Sequence, residues 1–462
     1  MFSFTLQNYR TTMCQLIIGN VTENTAKIWV KGTANNHSTT TLTAQITLKS
    51  DLRTVIQNLT IYKHNNFIGV FEFDELNPSD SGLIRTLYTV NVVFKDIAGV
   101  PLGFNCRGSF NTIPRVNYPV NFMLGSNFLN RNEDDGKRVF KNLNNLRKIE
   151  KPAFMLHAGN QIYIDAPASN EPIQSDSYVK KYQEALKSRE AAEFLGRIAN
   201  YTAINDHELY FRFANDVEYD YKTASYYLRE ALPSYHMFQH NRNPHPYGSD
   251  KLYYHYNYAG AAFFVMDTRV ERFQFVKAGA KRQMISTEQM EAFKQWLLDN
   301  AQRAKFVVTS VPFISIKETD YSEYWSAEAF MAQKEEILSF IKANKLSKLV
   351  FLTGQGNASL HSTLTLKTGV NEQVVLHELM CGTLNHYQCA ISNYEDFIWL
   401  QTNRSVEADY VYKIESANAE LDPSVMCISV KDDVVSFKSY NTKYMVEEDE
   451  VPPIIHEGSF SI

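Results

Sequence analysis

The chain has 462 residues, 46 of them basic and 51 acidic, for a formal charge of −5; 44% are apolar and 13% aromatic. That balance excludes a disordered or collagen-like chain and predicts a soluble, well-cored protein of two or three domains. It gives no global pull toward nucleic acid or an anionic membrane, and no apolar run reaches the roughly 18 residues of a membrane helix.

The first twenty residues, MFSFTLQNYRTTMCQLIIGN, contain no basic segment leading into an apolar stretch and a small-residue cleavage site, and no twin arginine. The expected location is therefore cytoplasmic, or outside the cell by a leaderless route. Five cysteines, at 14, 106, 381, 389 and 427, are sparse and odd in number. They predict a reducing compartment and no disulfide framework.

Residues 26–31 (AKIWVK), 42–48 (LTAQITL), 66–73 and 87–94 (LYTVNVVF) are short runs rich in β-branched and aromatic side chains, separated by Asn, Gly, Ser and Asp clusters. Such spacing predicts a small β-sandwich. The prolines at 114 and 119 mark a boundary, giving an N-terminal β-sandwich domain over 1–115 and a second domain over 116–462.

From 116 onward apolar strands alternate with helices. Strands are predicted at 120–124, 153–157, 201–204, 261–266, 305–311 and 348–352. Ser286 to Gln289 reads as a capping box opening a helix, and 328–343 repeats the helical pattern. Residues 425–440 return to strand. The alternation predicts an α/β layered domain of α+β character. Residues 160–260 are the least regular part, rich in tyrosine and histidine.

Ligands in layered α/β folds gather where strands end. Here Ser126–Asn127, Gly159–Asn160 with Tyr163 and Asp165, Asp206–His207–Glu208, Asp267 with Arg269, and Gly354–Gln355 with Asn357 and His361 follow successive strands. Two further groupings have metal-ligand spacing. His236 and His240 stand four apart in a predicted helix over 231–240, a stretch that reads first as structural, and Cys381, His386 and Cys389 lack a fourth ligand.

The ordered blocks IIGNVTENTAKIWV (17–30), GSFNTIP (108–114), NFMLGSNF (121–128), LHAGNQIYID (156–165), INDHEL (204–209), MDTR (266–269), residues 289–298 and LTGQGNASL (352–360) resemble the PhoD-like alkaline phosphatase/phosphodiesterase family, of the wider calcineurin-like metallophosphoesterase fold. The resemblance implies an N-terminal β-sandwich followed by an α/β/β/α double-sheet domain. It also implies a cluster of metal ions that activates water for attack on phosphorus. In the matching blocks Asn160 replaces a bridging aspartate, Asn127 a cysteine, and Gln355 and Asn357 an Asp/His pair.

Neutral amides at these positions cannot offset metal charge as carboxylates do. The leading expectation is thus a PhoD-like protein without metal cofactor or catalysis, serving as a binding or scaffolding pseudoenzyme. Its partner would be a phosphate-containing small molecule or a protein. Asn127, Asn160, Tyr163, Gln355, Asn357 and Arg269 would line the ligand site. Asp206, His207 and Glu208 would remain as the catalytic fragment. The alternative is an active phosphomonoesterase or phosphodiesterase using one divalent or ferric ion. Asp206, Tyr163 and either Asp165 or His361 would hold that ion, with His207 as general acid.

Overall fold

A computed structural model describes residues 14–76, 85–114, 119–130, 132–165, 172–216, 218–219, 222–274, 281–314, 323–355, 358–385, 410–417 and 422–462. The first part contains strands β1 (Gln15–Val21), β2 (Ala26–Lys31), β3 (Thr41–Lys49), β4 (Thr54–Tyr62), β5 (Ile68–Phe73), β6 (Leu87–Lys95) and β7 (Pro101–Asn111). Next come β8 (Val120–Gly125), α1 (Glu133–Ile149), β9 (Phe154–His157), α2 (Ser175–Leu186), α3 (Arg189–Leu195) and β10 (Ala199–Thr202). A small hairpin of β11 (Glu218–Tyr219) and β12 (Lys222–Thr223) leads into α4 (Ala224–Phe238), then β13 (Tyr254–Tyr258), β14 (Ala261–Val265), α5 (Thr287–Asp299) and β15 (Lys305–Thr309). The rest comprises α6 (Met331–Ala343), β16 (Leu349–Thr353), β17 (Leu360–Lys367), β18 (Gln373–Met380), β19 (Tyr410–Ala417), β20 (Ser424–Lys431), β21 (Val434–Asn441) and β22 (Ile454–Ser461).

The N-terminal strands form two facing layers, as a sandwich requires. β4-β3-β6-β7 make a four-stranded sheet, and β1, β2 and β5 face it. Burial alternates along β3, so Leu42, Ala44, Ile46 and Leu48 point inward with period 2. They join one core with Ile28, Val30 and Phe71 from the facing layer. That facing layer does not end at residue 115. β1 pairs in parallel with β10, so it runs on into a nine-stranded sheet of order β22-β21-β20-β8-β9-β10-β1-β2-β5.

A seven-stranded sheet, β13-β14-β15-β16-β18-β17-β19, packs against the nine-stranded one. β14, β15 and β16 are parallel and buried along their whole length, which explains their continuous apolar runs. Between the sheets Phe122 meets Phe263 edge-on at 5.5 Å and Phe306 at 5.6 Å. Each such buried ring contributes about 1.5–3 kcal/mol. Helices α1 to α4 share a second core outside the nine-stranded sheet, and α5 and α6 a third outside the seven-stranded one. The result is the α/β/β/α order of layers. No helix among the described residues is long and apolar enough to cross a membrane.

Two expectations are corrected here. A disulfide joins Cys14 to Cys106, 92 positions apart in sequence, with Cα atoms 6.0 Å apart. Counting cysteines cannot see that β7 packs across β1, where Gly108 approaches Leu16. Ser286 does cap α5 by accepting from the Gln289 amide at 3.1 Å. The Gln289 side chain, however, does not return to Ser286. It clamps the Asp267 backbone through both its oxygen and its nitrogen, each at 3.0 Å, and so anchors one of the site loops.

His361 and His377, on β17 and β18, lie 3.1 Å apart between ring nitrogens and stack on Phe460 of β22 at 4.4 and 4.1 Å. Glu415, Lys413 and His456 are the titratable groups around them. Burial lowers both imidazoles to about 4. Their folded pKa lies below the unfolded value, so this packing stabilises fully above about pH 6.5. Its contribution is lost as pH falls from there toward 4. The first proton taken up by the pair is expected to cost up to about 3 kcal/mol. Urea unfolding between pH 7 and 4 measures it, and a His361→Gln/His377→Gln double variant should show a shallower fall.

Candidate functional site

The loops leaving β8, β9, β10, β14 and β16 meet at one end of the paired sheets. Two glycines permit the approach. A Cβ on Gly159 (φ +95°) would lie 2.4 Å from the Asn205 Cβ, and one on Gly354 would lie 2.7 Å from Ser126. Asn127, Asn160 and Gln355, each just past a different strand, all take left-handed backbone with φ of 57°, 58° and 59°. Asparagine tolerates that region better than most residues; glutamine has no such advantage. Three such turns at three strand ends aim three amides at one centre.

Those amides are paired with protein groups. Asn160 Nδ2 donates to Asn127 Oδ1 at 3.0 Å, and its Oδ1 accepts from the His207 backbone amide at 3.1 Å. Gln355 Oε1 accepts from Arg269 Nη2 at 2.8 Å and from Asn205 Nδ2 at 3.2 Å, while its Nε2 donates to Glu323 at 3.1 Å. Arg269 is fully buried. It also donates from Nε to Asn205 Oδ1 at 2.6 Å, pairs with Glu323 at 3.1 Å, and lies 3.8 Å from Asp206 Oδ1. One guanidinium thus faces two carboxylates and two amides.

The Asp–His–Glu triplet occupies a 3₁₀ turn, Asp206–Glu208. Glu208 is buried and accepts from the amides of Asn160 (2.9 Å), Asn205 (3.0 Å) and Gln161, and from Gln239 Nε2 at 3.4 Å. Burial raises its pKa against those donors. The contacts to Asn160, Gln161 and Gln239 tie its turn to other loops, and that to Asn205 caps the turn itself. Burial works to raise Asp206 too, yet His207 and Arg269, with the Arg212 amide at 3.0 Å, hold it near 2.

His207 is the part-exposed member. Its Nδ1 lies 2.7 Å from Asp165 Oδ1, and its ring stacks on Tyr163 at 4.0 Å. Burial pushes its pKa down, but Asp206 and then Asp165 outweigh that and lift it to about 9. A folded pKa above the unfolded one stabilises fully below about pH 6.5, and the effect is lost as pH rises through about 9. Asp165→Asn is expected to lower the His207 pKa by about 1–2 units, read by NMR titration of the ring. An unchanged value would deny Asp165 its role. Burial, with Asp206, Glu208 and Asp165 nearby, raises the Tyr163 phenol well above its usual range, so it stands as a neutral phenol.

A cluster of metal ions does not fit these residues. Among the described residues no three His, Cys, Asp or Glu side chains converge as ligands. The carboxylates present are already engaged by Arg269, by His207 or by backbone amides, and the amide positions bring no charge. Among the described residues, two carboxylate oxygens at this centre, Asp206 Oδ1 and Glu323 Oε1, accept no hydrogen bond, and both belong to groups facing Arg269.

The fold therefore gathers Asn127, Asn160, Tyr163, Asp165, Asp206, His207, Glu208, Arg269 and Gln355. It does not bring His361 to them, because that ring is engaged by His377 and Phe460 in the cluster described above. Asn357, like His386 and Cys389, lies outside the described residues. His157 is buried against Asn200 Oδ1 at 3.1 Å, a structural contact. Glu323, Asn205 and Gln239 complete the network unforeseen. Asn205 directly precedes the Asp–His–Glu triplet, which was the available signal; Glu323 has none.

Comparison with known proteins agrees with this layout. A family model described as PhoD-like phosphatase matches residues 122–426. Alkaline phosphatase D of Bacillus subtilis (strain 168) is 27% identical over 255 residues, 46% of this chain and 43% of that relative, so the match spans less than half the relative's length. A solved structure described as that of PhoD superposes with a TM-score of 0.72 over 99% of this chain and 92% of its own. Its identity is 16%, a likeness of fold.

Proposed function

We propose that this chain, which belongs to the PhoD-like phosphatase family, is a member in which a paired amide and guanidinium network stands in place of a metal cluster, and that it acts by binding rather than by hydrolysis. One observation carries the reading: Asn127 and Asn160 pair with each other, and Asn160 and Gln355 with neighbouring protein groups, at the centre where anionic ligands would be needed. Arg269 supplies positive charge to Asp206 and Glu323. A permanently charged guanidinium in that position opposes a multivalent cation beside it. The part-exposed member of the centre is His207, held cationic beside Asp165 and stacked on Tyr163. The partner proposed, on the family likeness, is a phosphate-bearing small molecule or a protein.

The test is turnover of p-nitrophenyl phosphate and bis(p-nitrophenyl) phosphate across a panel of divalent and ferric ions. The expected result is no activity above background and no difference between the wild type and His207→Ala. Activity that His207→Ala abolishes would overturn the proposal. It would favour the second reading, a single-metal phosphohydrolase, whose support is the pair of unsatisfied oxygens on Asp206 and Glu323.

A further inference from the structure

The four-stranded sheet β4-β3-β6-β7 has a second face, opposite the one that joins the sandwich core. Side chains alternate along its strands, so Thr43, Gln45, Thr47 and Lys49 of β3 point outward with the residues paired to them on β4 and β6. These four side chains are exposed or part-exposed. Threonine needs no ligand to explain it there, since it is a good strand former on a wetted face.

The charge of the face is not explained that way. The four strands carry no aspartate or glutamate, although the chain has 51 acidic residues and a charge of −5. Lys49, Lys95 and Arg107 all point outward. Strand propensity disfavours glutamate and lysine alike, so it does not account for keeping one sign. Lysine can guard an edge strand against pairing, but Lys49 and Lys95 sit on the two central strands. Among the described residues none of the three cations has an ion-pair partner.

The register fixes their spacing. Lys49 of β3 is paired with Thr89 of β6, and Arg107 of β7 with Asn91 of β6. At about 4.8 Å between strands and about 3.4 Å per residue, Lys49 stands about 12 Å from Arg107, Arg107 about 14 Å from Lys95, and Lys95 about 21 Å from Lys49. Uncharged hydrogen-bonding groups share the face with them. Gln45 Nε2 donates to Asn58 Oδ1 at 3.0 Å, and Asn105 Nδ2 to Asn91 Oδ1 at 3.4 Å. Each pair uses one donor and one acceptor, which leaves every one of these amides with capacity for a ligand. Tyr62, outward on β4 and 43% exposed, adds an apolar ring at one end.

The spacing narrows the class of partner. Duplex DNA carries a charge about every 1.7 Å of its axis, far denser than these cations. A chain whose acid groups are sparse, and whose other groups are hydroxyls, matches both the cations and the amides. We infer that this face binds an acidic polysaccharide with a uronate on every second sugar. Lys49, Lys95 and Arg107 meet its carboxylates, the amide pairs its hydroxyls, and the Tyr62 ring the C–H face of a sugar. The face takes no part in the amide-filled centre, and the inference does not depend on the function proposed for that centre.

The test titrates the full chain by calorimetry with hyaluronan, which has one carboxylate per disaccharide, and with neutral dextran. The wild type is expected to bind hyaluronan, more weakly as salt is raised, and dextran at least about tenfold less tightly. Lys49→Glu/Lys95→Glu/Arg107→Glu should weaken hyaluronan binding at least about tenfold, since three exposed charge contacts are reversed. Gln45→Ala/Asn58→Ala should weaken it too, although the charge is unchanged, a loss that charge attraction alone does not produce. If the triple glutamate variant fails to fold, as judged by circular dichroism, its triple glutamine counterpart decides. No binding by the wild type, undiminished binding by the charge or the amide variant, or equal binding of dextran would each overturn the inference. So would tighter binding of single-stranded DNA or of phosphatidylserine vesicles.

Discussion

Replacing Arg269 with methionine is expected to lower the free energy of unfolding by about 3–5 kcal/mol. The guanidinium is the cation that Asp206 and Glu323 share, and its side chain is fully buried. Methionine has similar length and no charge, so little of the loss would come from a cavity. What remains is two buried carboxylates that have lost their shared cation, Asp206 keeping only His207, and Asn205 and Gln355 each with one donor fewer. The pH dependence identifies the cause. Asp206 is held near 2, below its unfolded value of 3.8, so its contribution is present above about pH 4 and lost as pH falls toward 2. Without Arg269 that carboxyl should protonate at higher pH, and the gap between variant and wild type should close as pH falls below 4. Urea unfolding at pH 7 and at pH 3 measures both. A loss below about 1 kcal/mol at pH 7 would mean that Arg269 is not the counter-charge of this site. Adding Asp206→Asn and Glu323→Gln to the same chain should restore most of the stability, because neutral amides need no cation.

What could be read from the sequence was whatever follows from short-range pattern. The alternation along β3, the buried runs of β14 to β16 and the Ser286 cap are local physics, and each was legible. So was the order of the strand-end loops, because each loop directly follows its strand. The interactions that decide what the site can do are not local. Glu323 reaches Arg269 across 54 residues and Gln355 reaches Asn205 across 150. No spacing rule relates such positions; only the pairing order of two sheets does. Glu208 shows a second limit. An Asp–His–Glu triplet reads as chemistry, yet the 3₁₀ turn sends the glutamate inward, to the backbone amides of the loop after β9. His361 shows a third. It follows closely behind a site loop in sequence, but β17 carries its ring into the stack with His377 and Phe460.

Asn160→Asp is the substitution that separates a lost metal site from a dormant one. Asn160 turns through left-handed backbone and joins Asn127 to the amide of His207. Aspartate keeps the acceptor for His207 but loses the donor to Asn127. It also places a carboxylate at the centre that already holds Asp206 and Glu208, both buried. Without a cation the expected cost is about 2–4 kcal/mol at pH 7. It should shrink at pH 5, as the new carboxyl, its pKa raised by burial and like charge, takes up a proton. Calcium then provides the discriminating addition, because it prefers oxygen ligands. If the centre needs only its anions to take a metal, an Asn160→Asp/Gln355→Asp chain should gain stability with calcium, by about 2.7 kcal/mol at a hundred times the dissociation constant. The wild type should gain nothing. Should the wild type respond to calcium and lose that response in Asp206→Asn, the centre binds metal as it stands, and the amide network is a set of neutral ligands rather than a replacement for them. Should neither chain respond, Arg269 excludes cations whatever the first ligands are. Arg269→Met in the doubly substituted background should then admit calcium, and would recover with it the stability that the arginine had supplied.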